Sequence, residues 1–137
     1  MKNSFVQIKT TMELNTVEIG KNGEYQAVEF LKENGFRIRE QNWRLGKFEI
    51  DIIAEKENDI VFFEVKTRNG FEVPADRIVQ GQQKTRIMKS AHAYIQRYKI
   101  VKEPRFDLIT IFGSGPKMRI SHIESYFYPL LISARSL

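Results

Sequence analysis

The chain has 137 residues, 42% hydrophobic and 12% aromatic, which suits one folded domain with one core and excludes a disordered chain. It contains no cysteine, so disulfides, zinc-thiolate centres and thiol nucleophiles are excluded. The net charge is +5 but uneven: between positions 75 and 105 eight Lys/Arg stand against two Asp/Glu, and the remainder is nearly neutral. Such a segment either attracts polyanions, of which nucleic acid is the commonest, or is a solvated helix face that keeps the protein soluble.

Residues 1–13 show no clear period and are expected to fray. No apolar run has the length of a signal h-region or a membrane span, so a soluble, cytoplasmic protein with no membrane partner is expected. Asn15 with Glu18 three residues on reads as a helix N-cap. That helix should run to about Asn34, with Gly35 as the glycine that ends it. At about 100° per residue, Val17, Gly20, Ala27, Val28 and Leu31 share one stripe, and Glu24 lies in its middle.

Three strands follow, over 36–43, 48–54 and 60–66, the last two rich in β-branched and aromatic residues. Residues 55–59 form a polar turn, so these two strands should pair as an antiparallel hairpin. Both are apolar at nearly every position, which requires cover on both faces. A loop is expected over 69–74, then a long helix from Pro74 or Ala75 to about Lys99 with the stripe Ile87, Ala91, Tyr94, Ile95 and Tyr98. Strands over 105–112 and 118–127 flank the turn at Gly113-Ser114-Gly115-Pro116. The expected domain is 14–127, with 1–13 and 128–137 as tails. Its fold class is α/β: a central mixed five-stranded sheet flanked by helices.

The chemistry concentrates in Glu49-Ile50-Asp51 and Glu64-Val65-Lys66. Side chains alternate along a strand, so Glu64 and Lys66 share one face and Val65 takes the other. With the hairpin loop centred between Glu57 and Asn58, Asp51 stands opposite Glu64 and Glu49 opposite Lys66. Like charges facing each other destabilise a ladder, and desolvation inside an apolar hairpin adds to the cost. A divalent cation such as Mg2+ (or Mn2+) would offset it while keeping waters and room for a phosphate. Lys66 could then hold an attacking water or neutralise charge on the phosphate. Glu24 reads as a third acid at the metal, direct or through water. The bland alternatives are a structural ion pair of Lys66 with Glu64 or Glu49, and a Glu24 at the rim paired to a lysine.

On the long helix, Gln80, Gln83 and Lys84 extend the apolar stripe toward the acids, which makes Lys84 and one glutamine candidates to support the acids or contact phosphate, unless the stripe ends at Ile87 and the first turns are solvated. Arg86, Lys89 and Arg97 lie on the opposite, solvent side. Arg44 and Arg68 flank the acids in sequence and could clamp phosphates, or be ordinary surface arginines. Trp43 and the tyrosines read as core or interface. His92 and His122 show no metal spacing, and Asp107 beside Arg105 reads as a structural pair.

These motifs resemble the YraN family of small bacterial proteins within the PD-(D/E)XK nuclease superfamily, relatives of archaeal Holliday junction resolvases. The matching runs are Gly20-Lys21-Asn22-Gly23-Glu24 with Ala27, Asn42-Trp43-Arg44, Glu49-Ile50-Asp51-Ile52-Ile53, Val61-Phe62-Phe63-Glu64-Val65-Lys66-Thr67-Arg68, Arg105-Phe106-Asp107 and His122-Ile123-Glu124. The resemblance implies a restriction-endonuclease-like fold, a divalent metal and a nucleic-acid substrate. It implies Asp51, Glu64 and Lys66 as the core catalytic triad, with Glu24 as the helix acid. This chain departs from the family in having Phe48 where a glycine is usual and Gln83 where a basic residue is usual. The expectation is therefore a metal-dependent endonuclease acting on DNA, branched or damaged DNA included. A non-catalytic nucleic-acid- or partner-binding module and a ribonuclease remain as alternatives. Cutting two strands takes two active sites, so a homodimer is expected, with the apolar tail over 128–132 as interface material.

Overall fold

The computed structural model describes residues 3–7, 16–68, 81–113 and 115–127. In chain order these form β1 (Asn3–Gln7), α1 (Thr16–Glu33), β2 (Arg37–Leu45), β3 (Phe48–Lys56), β4 (Asp59–Arg68), α2 (Gly81–Arg97), β5 (Glu103–Phe112), a 3-10 turn (Gly115–Lys117) and β6 (Arg119–Ile123). The sheet order is β1-β6-β5-β4-β3-β2. Every neighbouring pair is antiparallel except β4 with β5, which runs parallel from Asp59↔Glu103 to Arg68↔Phe112. A parallel pair needs a long crossover, and α2 lies within it.

The nearly continuous apolar runs of β3, β4 and β5 are covered on both faces, as their pattern requires. On one face Ala27, Val28 and Leu31 of α1 pack with Ile52, Val61, Phe63, Ile109 and Ile111. On the other Ile87, Ala91, Tyr94 and Ile95 of α2 pack with Ile53, Phe62, Phe106 and Leu108. This two-sided mixed sheet is a restriction-endonuclease-like α/β fold, and it contains all five expected strands.

Three expectations are corrected. Residues 3–7 do not fray; they add a sixth strand that pairs with β6 from Asn3↔Ile123 to Gln7↔Arg119. The last strand ends at Ile123 rather than 127, because Ser125 turns the chain at φ +52° and donates its N–H to Asp107 Oδ1 at 3.0 Å. Tyr98 leaves the core stripe: it is 45% exposed, with its ring against Tyr94 at 4.6 Å. The proposed N-cap Asn15, the 69–74 loop, the start of the long helix with Gln80, and the tail over 128–132 lie outside the described residues.

Asp107 is fully buried, and its carboxylate has four donors. Arg105 binds it through Nε at 2.9 Å and a terminal nitrogen at 2.8 Å, His122 Nε2 lies 2.8 Å away, and Ser125 N supplies the fourth. These bonds hold the Asp107 carboxyl below its ordinary range, against the upward push of burial. The expected Arg105–Asp107 pair is therefore structural, and it ties β5 to β6 and the turn after it.

Both described α-helices end in the same motif. Phe36 N–H bonds Leu31 O at 3.0 Å and Gly35 N–H bonds Lys32 O at 3.1 Å, with Gly35 at φ +88°. At the end of α2, Ile100 N–H bonds Ile95 O at 3.0 Å and the left-handed position at φ +50° is filled by Lys99. A side chain there is strained where glycine is not. Lys99→Gly should therefore raise stability by about 0.5–1 kcal/mol, read as a higher urea midpoint at unchanged m-value.

Candidate active site

The β3–β4 hairpin turns over Glu57 and Asn58, with Lys56↔Asp59 closing it and Glu57 at φ +54°. Its ladder continues through Ile53↔Phe62 to Ile52↔Phe63, which is the expected register, and pairs no further. At the next step Asp51 Oδ2 accepts the backbone N–H of Val65 at 2.8 Å. The hairpin thus opens into a fork where Asp51 and Glu64 line the same cleft, and the Asp51 side chain satisfies the amide that meets it there. β4 is held through this region by its parallel pairing to β5.

The fork opens on a cleft of about 440 Å³ lined by Lys47, Phe48, Glu49, Asp51, Glu64, Gln83, Arg86 and Ile87. Val65 points away and packs against the α1-side core. Glu64 is buried, and its Oε1 accepts from Lys66 Nζ at 2.9 Å and from Gln83 Nε2 at 2.6 Å. Gln83 is thus the glutamine of α2 that reaches the acids. Glu24 is half-buried on α1. Its neighbour Gly23 lets that helix approach β4 and β5, since a Cβ there would meet Thr67 Oγ1 at 3.0 Å and Ile111 Cδ1 at 3.4 Å.

Burial pushes the Asp51 carboxyl up to about 7, with the Glu64, Glu24 and Glu49 charges adding to it and the Val65 N–H opposing. Glu24 is therefore close enough for its charge to be felt at Asp51. Burial also raises Glu64, against the downward pull of Lys66 and Gln83. Among the described residues no three Asp, Glu or His side chains converge into a ready ion cage. A hard cation would take Asp51 and Glu64 as its protein ligands and complete its shell with water, with Glu24 acting at longer range. Two oxygen ligands with raised proton affinity fit a divalent ion, because its charge removes the repulsion that raises them.

The six basic candidates divide. Arg86, expected on the solvent side away from the acids, instead leans over Phe48 of β3 and lines the acid cleft and, with Phe48, Thr85 and Lys89, an adjoining cavity of about 360 Å³. Arg97 sits farther along α2 with its guanidinium 5.8 Å from the Trp43 ring centre. Lys84 does not turn toward the acids; its Nζ lies over the Phe127 ring at 5.6 Å. Arg44 pairs with Glu49 at 3.5 Å, directly across the β2–β3 ladder. Of the two ion pairs weighed as bland alternatives, Lys66 makes the one with Glu64, and Glu49 pairs with Arg44. Arg68 donates to the Thr67 carbonyl at 3.0 Å at the end of β4.

Sequence reasoning missed Lys47, Phe48 and Tyr126. Lys47 follows Gly46, at φ +59°, in the two-residue turn closed by Leu45↔Phe48. A Gly-containing turn just before the acidic strand was the available signal. Tyr126 is buried, and among the described residues its hydroxyl has no hydrogen-bond partner. Burial raises this phenol, and the Glu64, Asp107 and Asp51 charges add to the rise. Nothing in the local sequence marked it.

The model of the uncharacterised protein family UPF0102 matches residues 23–111, a span that holds Glu24, Asp51, Glu64 and Lys66. The chain belongs to this family. The UPF0102 protein of Bacteroides thetaiotaomicron is 45% identical over 116 residues, covering 83% of this chain and 95% of that protein. The UPF0102 protein of Flavobacterium psychrophilum is 40% identical over 113 residues, covering 81% and 94%. That of Porphyromonas gingivalis is 38% identical over 116 residues, covering 82% and 85%. UPF0102 is the family that the E-I-D and E-V-K-T-R runs resembled under the name YraN. Among the described residues no helix is long and apolar enough to cross a membrane.

Proposed function

We propose that this UPF0102 chain is a divalent-metal-dependent endonuclease that hydrolyses phosphodiester bonds in DNA. The observation that carries this reading is the fork itself. Asp51 and Glu64 share one cleft, each with a raised proton affinity, and Lys66 lies 2.9 Å from Glu64. An apolar sheet gains nothing from two opposed acids, so their burial argues for a ligand that needs them.

Asp51 and Glu64 would hold the ion; when bound, Mg2+ or Mn2+ supplies charge neutralisation at the phosphate and lowers the pKa of water. Lys66 supplies a positive charge and proton donors on the same face, placed to stabilise charge that develops on the phosphate. Gln83 fixes the Glu64 carboxylate through its 2.6 Å bond, and Val65 N–H fixes that of Asp51. Arg86 and Lys47 at the cleft wall are placed to position the backbone of the substrate.

A second reading, a nucleic-acid-binding module without catalysis, draws on the Glu64–Lys66–Gln83 contacts, which satisfy Glu64 within the protein. One assay separates the two. The protein is incubated with duplex, single-stranded and four-way-junction DNA and with RNA, in Mg2+, Mn2+ or chelator. Metal-dependent cleavage of DNA is expected; binding with no cleavage on any substrate selects the module. Cleavage of RNA alone would reassign the enzyme to ribonucleases.

Binding is expected to use the basic side chains of α2. Replacing Arg86, Lys89 and Arg97 together by glutamate should weaken DNA binding by at least tenfold. It should also flatten the plot of log affinity against log salt by about 0.9 per lost phosphate contact. An unchanged slope would move the surface to Arg44 and Arg68.

A further inference from the structure

Among the described residues Phe48 is the aromatic side chain that lines both cavities: the acid cleft with Asp51 and Glu64, and the basic one with Arg86 and Lys89. It follows the Gly46-Lys47 turn, at the entrance to the fork. The guanidinium of Arg86 lies over its ring at 5.5 Å. The arrangement repeats along α2, where Arg97 lies over Trp43. Arg97 lies eleven positions after Arg86, close to three whole helical turns, so the two arginines share one side of the helix. Each leans on an aromatic ring from the β2–β3 hairpin. For charge alone, a duplex-tracking surface needs no aromatic group beside its acids.

We propose that Phe48, backed by Arg86, is a stacking platform for an unpaired base, and that the substrate is a nucleic acid carrying an unpaired nucleotide beside the bond to be cut. The proposal rests on the nuclease reading and adds the substrate class. Bases stack on aromatic side chains whatever their sequence, and an arginine on the same ring reinforces the platform by cation–π attraction. A base held in a Watson–Crick pair does not offer its face to a side chain, whereas one in a gap, flap or single strand does. Lys47 and Lys89 flank the platform with positive charge for the phosphates on either side of that base.

The test measures binding by fluorescence anisotropy in chelator, so that nothing is cut. Three labelled DNAs are used: a continuous duplex, the same duplex with a short internal single-stranded gap, and the single strand. The native protein is expected to bind the gapped DNA about tenfold more tightly than the continuous duplex. Phe48→Leu, which keeps apolar volume without a π-face, should erase that preference and leave duplex affinity within about twofold. Phe48→Trp should keep it, and thermal melts check that both variants are folded. Equal affinity of the native protein for the gapped and continuous DNAs overturns the proposal, as does a preference that survives in Phe48→Leu. The same DNAs are then incubated with Mg2+. Cleavage without a binding preference leaves the endonuclease standing and removes only the platform. Absence of binding to all three DNAs overturns both.

Discussion

Asp51→Asn is expected to raise the melting temperature of the metal-free protein at pH 8 by on the order of 10 °C, from about 2–4 kcal/mol. The carboxyl sits at about 7 in the folded chain, well above its ordinary value, chiefly because it is buried and faces Glu64. The folded state therefore holds that proton more tightly than the unfolded one. Stability from this group is complete below about pH 4, falls as pH rises toward about 7, and is flat beyond. Asparagine carries no charge to desolvate and keeps an oxygen for the Val65 N–H, so the variant should lack this slope. Mg2+ should act in the opposite sense, raising the melting temperature of the native chain at pH 8 and leaving the variant unmoved. A native protein with no pH slope between 4 and 7, or a variant still stabilised by Mg2+, would remove Asp51 from the site.

Lys66→Met should lower kcat about 10²–10³-fold, the usual loss for one group stabilising transition-state charge. Affinity for DNA should change little, because the phosphate-facing charge of α2 is intact. The same change removes a partner at 2.9 Å from the buried Glu64, so the proton affinity of Glu64 should rise further. The variant should therefore gain stability as pH falls from 8 to 5 more steeply than the native chain. Loss of binding equal to the loss of rate would make Lys66 a substrate-affinity residue. Unchanged rate would return the Glu64–Lys66 contact to a plain structural ion pair.

The part of this site that is readable from sequence is the part fixed by period-two alternation and a short turn. The hairpin closes over Glu57 and Asn58 in the register that the alternation implies, and Asp51 and Glu64 line one cleft while Val65 packs on the α1 side. Gly35 and the buried stripe of α2 are legible for the same local reason. What is not legible depends on contacts between distant segments. Residues 3–7 are a strand only because β6 offers them a partner edge. Lys84 turns to Phe127, far along the chain, rather than to the acids. His122, isolated in sequence, is a partner of Asp107 once β5 and β6 lie side by side. Phe48 looks like an ordinary strand residue until α2 brings Arg86 over it.

The charge on β2 also bears on how copies of this chain can meet. Among the described residues β2 has β3 on one side and no strand on the other, which makes it an edge of the described sheet. Yet its nine residues include Arg37, Arg39 and Arg44, two of them about two-thirds exposed, within a largely polar run. A second β2 laid alongside would add to the positive charge already carried along this margin. This margin therefore discourages aggregation by sheet extension.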